Sequence, residues 1–209
     1  MAASARDTIL KKIKQALKQP VPVPFPAIQS VQPFTPLQQE PALEFAERFS
    51  QLQGRFSYCG SEAELVSQLL ALSTARKWEK IFCRETPIRS LLEQNGWTGN
   101  YHPTLADCDV AITTCEYLVA RTGSIILSSS GASGRTVSVY APIHICIAYS
   151  HQLVNDIGDG MEPLLLSGEN NYPSLVTLAT GPSRTADIEK TLVVGVHGPK
   201  EVFCFLIDS

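Results

Sequence analysis

The sequence predicts an α/β three-layer sandwich with a mostly parallel sheet, preceded by an N-terminal helical arm. Three observations carry that expectation. From Pro41 onward, strand-like and helix-like stretches alternate, the order that builds a parallel sheet covered by helices. The run from Val202 to Ile207 is apolar on both faces, as a strand buried inside such a sheet should be. Proline and glycine are segregated: seven of the 14 prolines fall between Pro20 and Pro41, and no glycine precedes Gly54. Residues 1–40 are therefore read as an arm and residues 41–209 as the α/β domain.

Within the arm, Ile9, Ile13, Ala16 and Leu17 recur at helical spacing, with Lys11, Lys12, Lys14 and Lys18 elsewhere on the turn. That pattern predicts an amphipathic helix of about four turns. Pro20 ends it, and the prolines from Val21 to Pro26 impose an extended, polyproline-like run. The segment reads as a semi-rigid tether that lays the helix on its own domain or on a sister subunit, with a homo-oligomer as the consequence of the latter. A membrane-surface helix is the alternative, although the apolar stripe is narrow and lacks an aromatic residue.

In the domain, Ala42, Phe45, Ala46, Phe49 and Leu52 make an apolar helical stripe closed by Gly54. Phe56 to Cys59 reads as a strand. Ser61 and Glu64 have capping-box spacing and open a helix through Leu65, Leu69 and Leu72. Ile81 to Cys83 is a strand, and Pro87 to Gln94 a helix stopped by Asn95 and Gly96. Val110–Thr113, Ser124–Leu127, His144–Ala148, Leu175–Leu178 and Val202–Ile207 complete the strands. No internal repeat of 20–50 residues occurs.

Composition narrows the function. The 209 residues are 44% hydrophobic and 18% charged, with a formal net charge of −3. A nucleic-acid-binding domain normally carries a basic face, and this balance argues against one. The charge is also unevenly spread, +3 over residues 1–40 and −6 over the remainder. A charged fraction below the usual quarter points to neutral loops or to a surface covered by a partner. No apolar run reaches the length of a membrane span, and Met1 to Gln19 lacks the uninterrupted apolar core of a signal peptide. The six cysteines are scattered without a C-x-x-C pair and read as small buried hydrophobes, so no metal and no cofactor is expected on this chain. The cytoplasm is the expected compartment.

The common nucleotide and hydrolase signatures are missing. There is no P-loop and no H-E-x-x-H; Gly158 to Pro163 opens like a dinucleotide fingerprint but has proline at the third glycine, and Gly131 to Arg135 is not a nucleophile elbow. Four stretches remain. Ser128 to Arg135 follows a strand and offers small residues, Ser133 and Gly134 among them, whose backbone amides can approach an anion, with Arg135 as a fork of donors. A plain flexible loop is the competing reading.

Thr180 to Glu189 follows the Leu175–Leu178 strand. Gly181-Pro182 forces a turn, Ser183 or Thr185 can cap a new helix, and Arg184 favours an anion there. Asp187 reads as an orienting acceptor for Arg184 or a general base. This stretch is expected beyond the carboxyl end of a strand, where ligands bind in open α/β sheets. His197, hemmed by Gly195, Gly198 and Pro199, sits in a tight turn and is either a structural donor or a catalyst. Glu116, between two strands, is either a base or nucleophile, or a helix-start residue. His144 opens an apolar strand and reads as core; His102 and His151 carry no signal.

Taken together, the runs Ile112 to Ser128, Ala141 to Ile145, GPSRTADIE at 181–189 and GVHGP at 195–199 resemble the LUD-domain family, and within it the lactate utilization protein C type. The likeness covers residues 42–207, and the arm also matches. It implies a fold similar to the NagB/RpiA/CoA-transferase-like superfamily. It further implies a role beside two iron–sulfur proteins that oxidise L-lactate to pyruvate, the clusters belonging to those partners. One position departs: the family commonly has an acid before Thr-Gly, where Arg121 stands here. Either Glu116 supplies the carboxylate, or the site binds without catalysing.

Two functions follow as expectations. One is a component of a lactate-oxidising system that binds a small anionic ligand. The other is an independent enzyme of CoA-transferase or sugar-phosphate-isomerase type acting on a small anionic metabolite. In both, Gly181, Ser183, Arg184, Thr185, Ser133, Gly134 and Arg135 would bind the anion; the first makes the chain a non-catalytic or accessory subunit, and in the second Asp187, Glu116 or His197 would handle protons. Those groups should then share one cleft.

Overall fold

The computed structural model describes residues 5–18, 39–166, 172–188 and 191–208, apart from the side chains of 186–188 and 191–192. The chain divides into two compact units, residues 1–36 and 37–209. In the first, helix α1 spans Ala5–Ala16. Ile9, Leu10, Ile13 and Leu17 are all exposed. The proline-rich run expected from Val21 to Pro26 lies outside the described residues.

The second unit is organised around a five-stranded, all-parallel sheet. Its strands are β1 (Arg55–Cys59), β2 (Ile81–Cys83), β3 (Val110–Thr113), β6 (Ile143–Tyr149) and β11 (Glu201–Ile207). Their order is β1-β11-β6-β3-β2. β11 and β6 run in register over seven residues, from Glu201 opposite Ile143 to Ile207 opposite Tyr149. As its composition demands, β11 is buried along nearly its whole length.

Alternation of side chains across the sheet makes two cores. On one face, Ile145, Ile147, Phe203, Phe205, Val110 and Ile112 pack under helices α3 (Glu62–Arg76) and α4 (Thr86–Gln94) through Leu65, Leu69, Ile88 and Leu92. The Ser61 hydroxyl caps α3 by accepting the Glu64 N–H at 3.2 Å, while the Glu64 carboxylate accepts the Gly60 N–H at 2.9 Å. On the other face, Cys146, Ala148, Val202, Cys204 and Leu206 meet Phe45 and Phe49 of helix α2 (Pro41–Gln51). Those two rings stack with centroids 5.3 Å apart. The left-handed residue ending α2 is Gln53 and not the expected Gly54, whose N–H donates to Phe49 O.

The third layer is mostly a second sheet; the strand list held two of its strands, Ser124–Leu127 and Leu175–Leu178, without separating them from the first sheet, and lacked the other two. β4 (Tyr117–Val119), β5 (Ser124–Ser128), β7 (Leu153–Val154) and β8 (Val176–Ala179) form it in the order β7-β4-β5-β8, with β4–β5 and β5–β8 antiparallel. The chain length between β4 and β5 dictates this, since a parallel crossover needs a dozen or so residues and only 120–123 intervene. A short helix α5 (Val137–Tyr140) covers the β2–β3 end through Val137 against Phe82 and Ala111. Gly158 to Pro163 lies inside helix α6 (Ile157–Leu166), past the short turn that follows β7, so its glycines do not form the strand-to-helix turn of a dinucleotide site.

One local expectation is overturned. Arg184–Ile188 is strand β9, paired antiparallel with β10 (Thr191–Val194), and no helix starts at Ser183 or Thr185. The Ser183 N–H, which would have been a free helix-start donor, instead bonds to Pro199 O at 2.9 Å. All six cysteines are free and buried. Burial pushes the Cys83 thiol up to about 11, so it behaves as the small hydrophobe the sequence suggests.

Candidate functional site

The carboxyl ends of β2 and β3 frame a small polar cavity. Glu85 follows β2 at the start of α4, and its carboxylate is buried. It accepts the Thr114 N–H on both oxygens at 3.2 Å, the Thr114 hydroxyl at 2.6 Å and the Ser133 hydroxyl at 2.6 Å. Glu116, just before β4, accepts a hydrogen bond from the Ser128 hydroxyl, which in turn accepts the Ser130 N–H at 3.2 Å. Thr113 ends β3, and its hydroxyl lies 2.9 Å from Nε2 of His144. Glu85, Thr113, Glu116, Ser128, Ser133 and Gly134 line a space of about 30 Å³. That holds roughly one or two waters. One carboxylate is thus saturated by donors, and the second stands beside a hydroxyl in the geometry of a proton acceptor.

A larger cleft opens at the opposite end of the strands, at the amino ends of β6 and β11. It measures about 460 Å³ and is lined by Val139, Tyr140, Pro142, His197 and Lys200 with the chain from Gly195 to Gly198. Backbone bonds stitch it together: Ser183 N–H to Pro199 O at 2.9 Å, Gly195 N–H to Ser183 O at 2.9 Å, and Lys200 N–H to Pro142 O at 2.7 Å. At Gly198 a Cβ would sit 2.7 Å from the Ser183 Cβ, so only glycine allows this approach. The two stretches singled out at 181–189 and 195–199 are joined here.

The expected site residues are divided between these places. Glu116, Ser133 and Gly134 meet at the Glu85 cavity. His197 lines the cleft, with Ser183 behind it. Arg184 donates to Leu52 O at 2.5 Å. Gly181, at φ +81, lets the main chain lie against that same carbonyl. Arg135 is held by the Ser174 hydroxyl at 3.1 Å and carbonyl at 3.2 Å. Thr185 pairs with Val193 in the hairpin. Asp187 lies on β9, and its side chain is outside the described residues. A single cleft holding Arg184, His197 and the loop from Ser128 to Arg135 therefore does not form. Nor does Thr180 end a strand of the parallel sheet: β8 belongs to the second one, so the rule about carboxyl ends points to the Glu85 cavity instead.

Arg121, at the β4–β5 turn, forms a two-pronged pair with Asp156 at 2.9 and 2.6 Å. The guanidinium holds the Asp156 carboxyl below its ordinary value. The cation is therefore engaged in joining that turn to the start of α6. Because the pair is partly exposed, a double-mutant cycle of Arg121→Ala and Asp156→Ala is expected to give a coupling of about 1 kcal/mol by urea unfolding. Full additivity would remove this role.

Glu85 was not among the residues read from the sequence. Its signal was available: an acid placed directly after an apolar strand and before a Thr-Pro helix start, the same logic that selected Glu116. Tyr140 and Lys200, the neighbours of the cleft's His197, were missed as well. Among the described residues, no group of three or more His, Cys, Asp or Glu side chains is placed to hold a metal ion. No described helix is long and apolar enough to cross a membrane.

A parallel five-stranded sheet, helices on one face, a second sheet on the other and polar loops at both strand ends define an α/β protein of three-layer type. The family model for the LUD domain matches residues 98–207, a stretch containing β3 to β11 with most of both cavities, and the chain belongs to the LUD-domain family. It is 38% identical over 102 residues to lactate utilization protein C of Shouchella clausii, covering 48% of this chain and 44% of that protein. The same-named protein of Bacillus subtilis is 36% identical over 103 residues, 48% of this chain and 43% of the relative. An uncharacterized protein of Neisseria meningitidis is 33% identical over 121 residues, 58% of this chain and 50% of the relative. The matched segments thus span about half the length of these relatives. The crystal structure of a DUF162 family protein from Deinococcus radiodurans shares the fold, with a TM-score of 0.57 at 20% identity, covering 80% of this chain and 96% of that one.

Proposed function

We propose that this chain is a cytoplasmic component of a system oxidising L-lactate to pyruvate, acts beside iron–sulfur proteins and binds a small anionic ligand. The observation that carries the reading is the set of relatives named lactate utilization protein C, at 32–38% identity over about half of this chain. Oxidation of lactate releases two electrons and two protons, and the iron–sulfur partners would carry the electrons.

Electrostatics favour one location for the anion. The Glu85 cavity presents two carboxylates in about 30 Å³, a poor host for a negatively charged acid. The cleft presents His197 and Lys200, and no described carboxylate lines it. A deletion strain should lose growth on L-lactate while growing normally on glucose, and the full chain should restore it. A tagged chain purified from lactate-grown cells should bring iron–sulfur proteins with it. Undiminished growth of the deletion strain on lactate would overturn the role.

A further inference from the structure

The cleft at the amino ends of β6 and β11 is larger than a three-carbon acid needs. Its volume of about 460 Å³ lies within the range of about 300–1,000 Å³ typical of small-molecule sites. Its lining is of two kinds. Val139, Tyr140, Pro142 and Val196 contribute apolar surface, and Tyr140 is left 69% exposed. His197 and Lys200 contribute basic groups.

The basic part of the lining is built rather than incidental. Gly195 adopts φ +76, a left-handed backbone that favours glycine, and any Cβ there would overlap Cγ of Lys200. The lysine stem therefore lies directly against the main chain of the cleft. Lys200 N–H is tied to Pro142 O at 2.7 Å, which fixes the base of that side chain. Glu201, the acid next in sequence, does not neutralise this edge. It is already held by Arg55 at 2.9 Å and Arg76 at 3.1 Å.

We propose that this cleft binds an organic anion carried on a flat ring, the ring lying on Tyr140 and the charged group meeting Lys200 and His197. An exposed tyrosine face gives a stacking platform at low entropic cost. An ammonium on a fixed stem gives a charge-assisted donor for a phosphate or carboxylate. The inference deepens the anion-binding reading above and rests on it. Ring and anion together fill a volume that lactate or pyruvate would leave mostly to water.

The test titrates the full chain with AMP and nicotinate, which carry a ring on a phosphate and on a carboxylate. Ribose 5-phosphate and pyruvate serve as the matching ringless anions. The readout is the imidazole C–H resonance of His197, assigned by its loss in His197→Gln. At least one ring-bearing probe should saturate that shift, and its ringless counterpart should bind tenfold or more weakly. Lys200→Gln should weaken the ring-bearing probe about tenfold, and Tyr140→Ala about fivefold. Both side chains are exposed, so folding should survive the substitutions. Equal binding of ringed and ringless anions, or no effect of Tyr140→Ala, overturns the ring while leaving the anion reading intact. No saturable His197 shift with any probe, or no effect of Lys200→Gln, overturns both.

Discussion

Glu85→Ala should destabilise the protein by about 3 kcal/mol, which for a chain of this size lowers Tm by roughly 6–12 °C. The carboxylate is buried and collects donors from two separate segments: the N–H and hydroxyl of Thr114, and the hydroxyl of Ser133. The hydroxyls can rotate toward other acceptors once the carboxylate is gone. The Thr114 N–H cannot, because the end of β3 fixes it. Removing one partner of a buried hydrogen bond costs the desolvation of the group left behind, and bonds to an ionised group are the expensive ones. Glu85→Gln keeps one acceptor oxygen and turns an amide NH2 toward Thr114, so an intermediate loss of about 1–2 kcal/mol is expected. Ser133→Ala removes a single hydroxyl and should cost about 1 kcal/mol. Thermal or urea unfolding of the three variants measures the series. If Glu85→Ala unfolds within a degree or two of the parent, the carboxylate does not clamp the loop from Ser128 to Gly134 to the sheet.

Part of the fold was legible from the sequence and part was not. Periodicity and apolar runs located every strand of the parallel sheet: β2, β3, β6 and β11 are short, mostly apolar stretches, and the mixed β1 stands between the Gly54 turn and the capping box at Ser61. The same runs do not say which sheet a strand joins. β5 is as buried as β3, yet it pairs with β4 and β8 and lies in another layer. Chain length between strands holds part of the missing information, but Tyr117–Val119 was not read as a strand, so the four-residue link 120–123 that excludes a parallel crossover went unseen.

The sites were legible as stretches but not as constellations. Arginine at 184 invites an anion when read alone, yet its guanidinium reaches back across the fold to Leu52 O, the carbonyl at the end of α2. No local pattern reveals a partner 132 positions away. Ser183 and His197 behaved differently. Their neighbours Gly195, Gly198 and Pro199 showed that the backbone is tightly turned there, and the structure uses those turns to seat 195–199 against Ser183. Glycine-rich context thus marked the tight turns at 195–199, whereas the two arginines chosen by charge type each hold an oxygen of the chain itself.

Acid should destabilise the protein through His144 more than through any other histidine. Its side chain is fully buried on β6, and burial alone pushes its pKa down to about 4. In the unfolded chain the ordinary value is about 6.5. Between those values the unfolded state takes up a proton that the folded state refuses, so stability rises with pH across that window and falls as pH drops through it. The full gap corresponds to about 3 kcal/mol lost between pH 7 and pH 4. At neutral pH the imidazole is uncharged, one nitrogen lying 2.9 Å from the Thr113 hydroxyl and Nδ1 without a hydrogen-bond partner among the described residues. His144→Gln removes the titrating group while keeping a polar tip near Thr113. The variant should start less stable at pH 7, by the packing it loses, and then fall less steeply with acid. Urea unfolding of both proteins at pH 7, 5.5 and 4 separates the two effects, because the packing loss is constant and only the titration varies. Carboxylates that protonate in the same range cancel in the difference. Parallel curves would mean that His144 keeps its ordinary affinity for protons in the fold. Converging curves would mean that the fold refuses the proton at His144, directly behind Thr113 in the wall of the Glu85 cavity, and that the imidazole there stays neutral until the pH nears 4.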